Sequence, residues 1–229
     1  EDVSLDTIAG RTIGFTGADL ENIMNEAAII AAKKGDKTIT MKDIDDAVSK
    51  VVLGPAKKSR KRTNKELKLV AYHEAGHALV ARYTEDAVPV DKISIVSRGG
   101  SGGVTMFTPE KEENIISKRR LLASIIVSLG GRAAEEVALD DISTGASSDI
   151  EKATQTAKNM IQKFGMNEKL GMVRYGNSQD SAHLGYAYGD SKNFSEQTAE
   201  IIDGEIRTLI QGLYKDAVNL LKDKRSELD

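Results

Sequence analysis

Cysteine and tryptophan are both absent from this chain of 229 residues, and proline occurs only three times. Without cysteine the chain can form no disulfide, and any bound metal ion must be held by nitrogen and oxygen ligands. No stretch approaches the roughly 18 to 20 consecutive apolar residues of a membrane span, and the N-terminus does not resemble a signal peptide. The net charge of −3 gives no basic excess that would indicate a nucleic-acid partner.

The residues that are present predict a mainly α-helical protein with a small β element. Hydrophobic residues make up 40% of the chain and charged residues 29%, which provides enough apolar surface for one large domain or two smaller ones. Helical spacing predicts two helices within residues 1–53, the second beginning at the N-cap Thr40 and ending at Gly54. Further helices are predicted over about 65–83, 115–139, 148–164 and 195–228, and strands over 92–96 and 102–107.

Two of the three histidines lie four residues apart on one of these predicted helices. Residues i and i+4 project from nearly the same helix face, so His73 and His77 can chelate one zinc ion. Glu74, beside the first histidine, can then reach a water on that metal. This His-Glu-x-x-His pattern is the signature of zinc-dependent peptidases, whereas the plainer interpretation is two histidines on one side of a structural helix.

A catalytic zinc usually takes three protein ligands, and the spacing alone does not identify the third. A third histidine six residues after His77 is excluded because position 83 is tyrosine. A glutamate about 20 residues further on is excluded because that stretch is a predicted strand. The remaining candidates are His183, Glu135, Glu136 and Asp149. For Asp149 a structural role is also open, since it lies in a first helical turn where Ser148 and Glu151 fit a capping box.

Several ordered motifs resemble the protease domain of the FtsH family, which are membrane-anchored AAA+ zinc metalloproteases. The motifs are the His-Glu-x-x-His segment with its approach at residues 70–72, and residues 103–109, 129–136 and 143–149. The resemblance implies that Asp149, which ends the last motif, is the third zinc ligand. It also implies that Glu135 lies close to the site and orients a ligand histidine.

The N-terminal residues resemble the helical lid of the family's ATPase module. Residues 14–20 match its Gly-Phe-x-Gly-Ala-Asp-Leu element, although Ile13 stands where proline is usual. By this resemblance Gly17, Ala18 and Asp19 border the nucleotide. The chain has no Gly-x-x-x-x-Gly-Lys-Ser/Thr phosphate loop. We therefore expect a fragment of a longer membrane protein, with ATP and Mg²⁺ bound only in an ATPase core that is missing here, and no ATPase activity of its own.

The resemblance implies three parts: a helical AAA+ lid at residues 1–54, a basic linker at 55–64 and a predominantly helical zinc metalloprotease domain with a small β-sheet at 65–229. Glu74 is expected to act as general base in peptide hydrolysis, with one Zn²⁺ per chain. A substrate peptide is expected to add to the edge of a strand. The residues of that strand are Gly103, Val104, Thr105, Met106 and Phe107.

The family also implies a homohexamer that degrades unfolded or membrane-extracted proteins at the cytoplasmic face of the bacterial inner membrane, or at an organelle membrane. Membrane contact is expected only through segments absent from this chain.

Two other classes of function are weighed against the zinc protease. A non-catalytic assembly or adaptor module of an AAA+ ring predicts no bound zinc. A nucleic-acid binder would use the basic run at residues 57–62, which lacks aromatic residues and is better interpreted as a solvated linker.

Overall fold

The computed structural model of the chain describes residues 2–57, 62–109, 115–176 and 194–229. These ranges form a mainly helical protein with one small antiparallel sheet, as the sequence predicts. The helices are α1 (Leu5–Arg11), α2 (Gly17–Lys34), α3 (Met41–Leu53), α4 (Asn64–Tyr83), α5 (Lys118–Leu139), α6 (Ser147–Lys158), α7 (Glu196–Asp223) and α8 (Arg225–Leu228). The strands are β1 (Val90–Ser94) and β2 (Val104–Phe107). No helix within the described ranges is both long enough and apolar enough to cross a membrane.

Three helices begin at capping boxes, and the sequence analysis identified the N-cap of one of them, Thr40 of α3. In each box the threonine hydroxyl accepts a hydrogen bond from the main-chain N–H three residues on. The acidic side chain at that position accepts one from the threonine N–H in return. The pairs are Thr16 with Asp19 in α2, Thr40 with Asp43 in α3, and Thr63 with Glu66 in α4.

The N-terminal unit has its own core and makes polar contacts with the rest of the described chain. Ile23, Ala27, Ile44 and Ala47, from α2 and α3, are buried against one another. The short helix α1, which the sequence analysis did not separate from this unit, joins it to the sheet. Its Arg11 donates a hydrogen bond to Asp91 of β1 at 2.9 Å.

The packing of α4 against α5 determines the architecture of residues 64–229. The two backbones approach where Gly76 faces Gly130, so closely that neither position has room for a side chain. A Cβ on Gly76 would lie 2.4 Å from the carbonyl oxygen of Gly130 and 2.4 Å from Cβ of Ala134. Helix α5 runs through Gly130 and Gly131 without a break. Apolar residues of α4, α5, α7 and α8 complete this core, and α6 and α7 pack on the other side of α5.

The strands pair antiparallel, with Ile93 opposite Thr105 and Ser94 opposite Val104. Both strands differ from their predicted bounds. The alternating pattern suggests that the first continues to Val96, but it ends at Ser94, and the Ile95 carbonyl accepts a hydrogen bond from Arg62 instead of pairing in the sheet. The second strand begins at Val104 rather than at residue 102, because the Gly102 carbonyl also bonds to Arg62. Gly103 accordingly precedes the strand.

The starts of α5 and α6 also differ from those that the spacing of apolar residues predicts. Helix α5 begins at Lys118 because the Ser117 hydroxyl caps it, and Ile115 lies exposed before it. The capping box proposed for Ser148 and Glu151 is wrong. Helix α6 instead continues directly from the 3₁₀ turn Thr144–Ala146, and its N-cap Ala146 makes no side-chain bond. At its other end α6 passes into a π-helical turn, Asn159–Lys163.

The contact between α4 and α5 leads to a prediction about helical glycines. Gly76→Ala should lower the free energy of unfolding by about 1–3 kcal/mol, because the added methyl group overpacks the crossing. Gly212→Ala in α7 is the matched control. Gly212 is exposed with no atom near its ideal Cβ position, so alanine should stabilise the chain by about 0.5–1 kcal/mol. Urea unfolding of both variants measures this; equal effects would contradict the described crossing.

Candidate metal centre

The two histidines of α4 lie on its side facing α5, and Asp149 reaches them from the first turn of α6. His73 and His77 are 8% and 7% exposed, and Asp149 is partly buried. Their three potential ligand atoms all lie within 4.8 Å of one another. This is the one group of three or more such side chains found in the described part of the chain.

The spacing of these atoms fits a tetrahedral zinc site. Nε2 of His73 lies 3.1 Å from Nε2 of His77 and 3.3 Å from Oδ2 of Asp149. Nε2 of His77 lies 3.5 Å from the same Asp149 oxygen. Nitrogen and oxygen ligands about 2.0–2.1 Å from a tetrahedral zinc are about 3.3–3.4 Å apart. The three observed separations bracket that value, so the residues fit the metal that the sequence predicts.

The far ring nitrogens determine which tautomer each histidine adopts. Nδ1 of His77 lies 2.7 Å from the Val127 carbonyl oxygen, which can only accept, so this nitrogen carries the hydrogen. Nδ1 of His73 likewise donates to Oε1 of Glu135 at 2.7 Å. When both rings are neutral, as metal binding requires, their Nε2 atoms present lone pairs to each other and to the Asp149 carboxylate. Three converging lone pairs need a cation between them, and this is the arrangement that a metal ligand set requires.

Without a metal ion, a proton on His73 supplies the positive charge that this arrangement needs. Burial alone would lower the pKa of His73, but hydrogen bonds with Asp149 and Glu135 outweigh burial and raise that pKa to about 9. Burial would raise the pKa of each carboxyl group, yet the histidine contacts hold the Asp149 pKa well below its ordinary range and also lower that of Glu135. The centre therefore holds two carboxylates that stay ionised at neutral pH and attracts positive charge.

Glu135 is fully buried and completely engaged by its surroundings. Besides His73, it accepts hydrogen bonds from the Ser143 N–H at 2.6 Å and from the Ser143 hydroxyl at 3.0 Å. A buried carboxylate is tolerated only with such partners. The structure thus places Glu135 against His73, the histidine that bonds to its Oε1. Ser143 and the Val127 carbonyl are contributors that the sequence analysis did not identify.

The absence of a side chain at Gly131 of α5 makes room for the two imidazole rings. A Cβ on Gly131 would lie 2.5 Å from Nε2 of His77 and 2.6 Å from Cε1 of His73. Val127, Gly131 and Glu135 recur at every fourth residue of α5 and so share one helix face. On that face the Val127 carbonyl accepts from His77 and the Glu135 carboxylate accepts from His73. Between them, Gly131 leaves space for both rings.

The centre opens into a cleft of about 570 Å³. Glu74 lines this cleft with His73, and the residue is 7% exposed. Of the strand residues expected to bind substrate, four line the cleft within the described chain: Gly103, Val104, Thr105 and Phe107. Met106 does not line it and pairs with Lys92 of β1.

The other predicted site residues lie elsewhere. Glu136, one of the open candidates for the third ligand, is exposed and accepts a hydrogen bond from the hydroxyl of Tyr214. His183 lies outside the described residues. Gly17, Ala18 and Asp19 form the first turn of α2, where Asp19 accepts hydrogen bonds from Thr16. Burial plays little part for Asp19; the Thr16 hydrogen bonds lower its pKa.

Two family profiles match the chain. The profile of peptidase family M41 matches residues 60–229, and that of the AAA+ lid domain matches residues 2–46. The first of these covers well over half of the chain and includes every residue of the metal centre.

Similar proteins include several named ATP-dependent zinc metalloprotease FtsH. One from Caldicellulosiruptor bescii is 47% identical over 228 residues, which is 100% of this chain and 37% of that protein. One from Thermoanaerobacter, named FtsH 1, is 48% identical and covers 99% of this chain and 37% of the relative. The Thermotoga maritima protein is 44% identical over 100% of this chain and 38% of its own length. The chain thus spans a little over a third of the relatives it matches.

The third ligand position leads to a direct prediction. Asp149→Asn should lose zinc, because a neutral amide replaces the one anionic ligand. The affinity should fall by more than the roughly 10- to 100-fold that follows loss of an outer hydrogen-bonding partner. Zinc content after dialysis and a competition titration with a chelator measure this. Asp203→Asn, at an exposed carboxylate on α7, is the control and should keep one zinc. Full zinc content in Asp149→Asn would exclude Asp149 as a ligand.

Proposed function

The chain belongs to peptidase family M41, as its resemblance to FtsH proteases predicted, and from that premise we propose that it is a zinc-dependent endopeptidase. One observation carries the proposal. Three ligand atoms converge at tetrahedral spacing beside Glu74, in a cleft that a strand also lines. An assembly module without catalysis would have no use for this convergence of buried lone pairs.

We assign the zinc to Nε2 of His73, Nε2 of His77 and the carboxylate of Asp149. Glu135 and the Val127 carbonyl support this assignment, since each fixes the ring orientation of one histidine. When bound, zinc supplies Lewis acidity, which lowers the pKa of water to about 7 and polarises the scissile carbonyl.

The substrate would bind extended along β2. That strand pairs with β1 on one edge, and the structure of the described residues pairs no strand with its other edge. A peptide added there would gain main-chain hydrogen bonds that do not depend on its side chains. Such binding suits a protease that accepts unfolded chains of varied sequence, and Gly103, Val104, Thr105, Met106 and Phe107 would be the residues involved.

Glu74 would carry the proton in peptide hydrolysis. Its carboxylate accepts a proton from the water that attacks the scissile carbonyl, and then gives that proton to the nitrogen of the leaving amine. Since the side chain lies in a largely buried position at the cleft wall, bulk solvent competes little for that proton. The bond broken is the C–N amide bond, and the products are a carboxylate and an amine.

For the longer protein we propose the organisation that the family implies. Residues 1–54 would be the helical lid of an AAA+ module with Gly17, Ala18 and Asp19 near the nucleotide, 55–64 a linker, and 65–229 the protease domain. The match of the AAA+ lid profile to residues 2–46 supports this division. ATP hydrolysis elsewhere in the protein would drive unfolded or membrane-extracted substrates to the metal centre. The assembly would be a homohexamer at the cytoplasmic face of a bacterial inner membrane.

The role of Glu74 is tested by Glu74→Gln. This variant should keep one zinc per chain, since no ligand changes, and should lose cleavage of unfolded casein by at least about 100-fold, the scale on which a general base contributes. The control Glu151→Gln changes an exposed glutamate on α6 and should retain full activity. Casein cleavage by zinc-loaded Glu74→Gln at the parent rate would rule out Glu74 as the base.

A further inference from the structure

The hydroxyl of Thr105 makes a contact within the cleft that the proposed reaction leaves unexplained. Its Oγ1 lies 2.8 Å from Oε2 of Glu74 and 3.0 Å from the main-chain oxygen of the same residue. Both of these oxygens act as acceptors, so the threonine donates, and its single hydrogen is shared between them with the shorter contact to the carboxylate. A hydrogen bond to a charged group is among the stronger kinds in proteins. A strand residue therefore holds the side chain proposed as the general base.

The two oxygens of the Glu74 carboxylate have different surroundings. Oε2 is held by Thr105, whereas no hydrogen bond to Oε1 occurs from any residue that the structure describes. Oε1 lies against Gly103, where a Cβ would come within 2.7 Å of it. The missing side chain at Gly103 thus leaves room for Oε1. One oxygen is anchored and the other remains available to take a proton.

We propose that Thr105 is a positioning residue, which fixes the rotation of the Glu74 carboxylate so that Oε1 is the atom that accepts the proton. The proposal rests on the assignment of Glu74 as general base. A glutamate side chain has several rotatable bonds, and restricting them in advance removes an entropic cost from the reaction. Thr105 can impose this restriction because its own backbone is fixed opposite Ile93 in the sheet.

The contact persists through the proposed proton transfer. When Oε1 takes a proton from the attacking water, Oε2 becomes the carbonyl-type oxygen of a neutral carboxyl group and still accepts from the Thr105 hydroxyl. When the proton passes to the leaving amine, the carboxylate returns to its starting state without rotating. The same strand that would bind the peptide therefore also fixes the base, so peptide register and base position are set by one element.

The test compares side chains at position 105 in the zinc-loaded chain cleaving unfolded casein. Thr105→Val keeps the branched shape and removes the hydroxyl, so kcat should fall roughly 10- to 100-fold, the scale set by a hydrogen bond to a charged group. KM and zinc content should be unchanged. Thr105→Ser and Thr105→Ala form a second pair that differs only in the hydroxyl, and serine should restore most of the kcat that alanine loses.

Two controls separate the possible failures. Thr84→Val removes a hydroxyl that also donates to a helix carbonyl, that of Val80, at the far end of α4, and should leave kcat unchanged. Glu74→Gln, assayed in parallel, tests the base itself. If Glu74→Gln is inactive while Thr105→Val keeps full zinc and the parent kcat, the positioning role is wrong and the proposed function stands. A serine variant no better than alanine would also overturn it. Retained cleavage in Glu74→Gln would instead refute the base assignment on which the proposal rests.

Discussion

The close approach of α4 and α5 is the constraint on which the rest of the structure depends. At Gly76 and Gly130 the backbones are separated by less than a side chain would require. This proximity brings the α5 face of Val127, Gly131 and Glu135 against the two histidines. The Val127 carbonyl and the Glu135 carboxylate orient the two rings, and the missing side chain at Gly131 leaves their Nε2 atoms unobstructed. A larger distance between the helices would break both ring contacts.

The remaining parts of the site come from segments far along the chain and join only when it folds. Asp149 arrives at the start of α6, and Thr105 arrives on β2. Glu135 links α4 to the start of α6, because it bonds both to His73 and to Ser143, which precedes the 3₁₀ turn that leads into α6. A fully buried carboxylate without these partners would be strongly destabilising. The same bonds that position the metal ligands therefore also make the buried charge tolerable.

Local signals in the sequence predicted the fold well and the site in part. The N-cap Thr40 located the start of α3, and the i, i+4 histidines were recognised because helix geometry makes their relation local. The strand ends were wrong because Arg62, distant in sequence, bonds to carbonyls that alternation assigned to the sheet. Spacing left the third ligand open, since no local rule relates α4 to α6. The contact of Thr105 with Glu74 likewise depends on tertiary packing and has no sequence signature.

The central claim is that the α4–α5 contact creates a zinc site completed by α6. Anomalous diffraction at the zinc absorption edge, from crystals of the chain grown with zinc, tests it most directly. The account predicts one strong peak per chain, within about 2.0–2.2 Å of Nε2 of His73, Nε2 of His77 and a carboxylate oxygen of Asp149. A peak bound by the two histidines and His183, with Asp149 turned away, or no peak at this position, would contradict it.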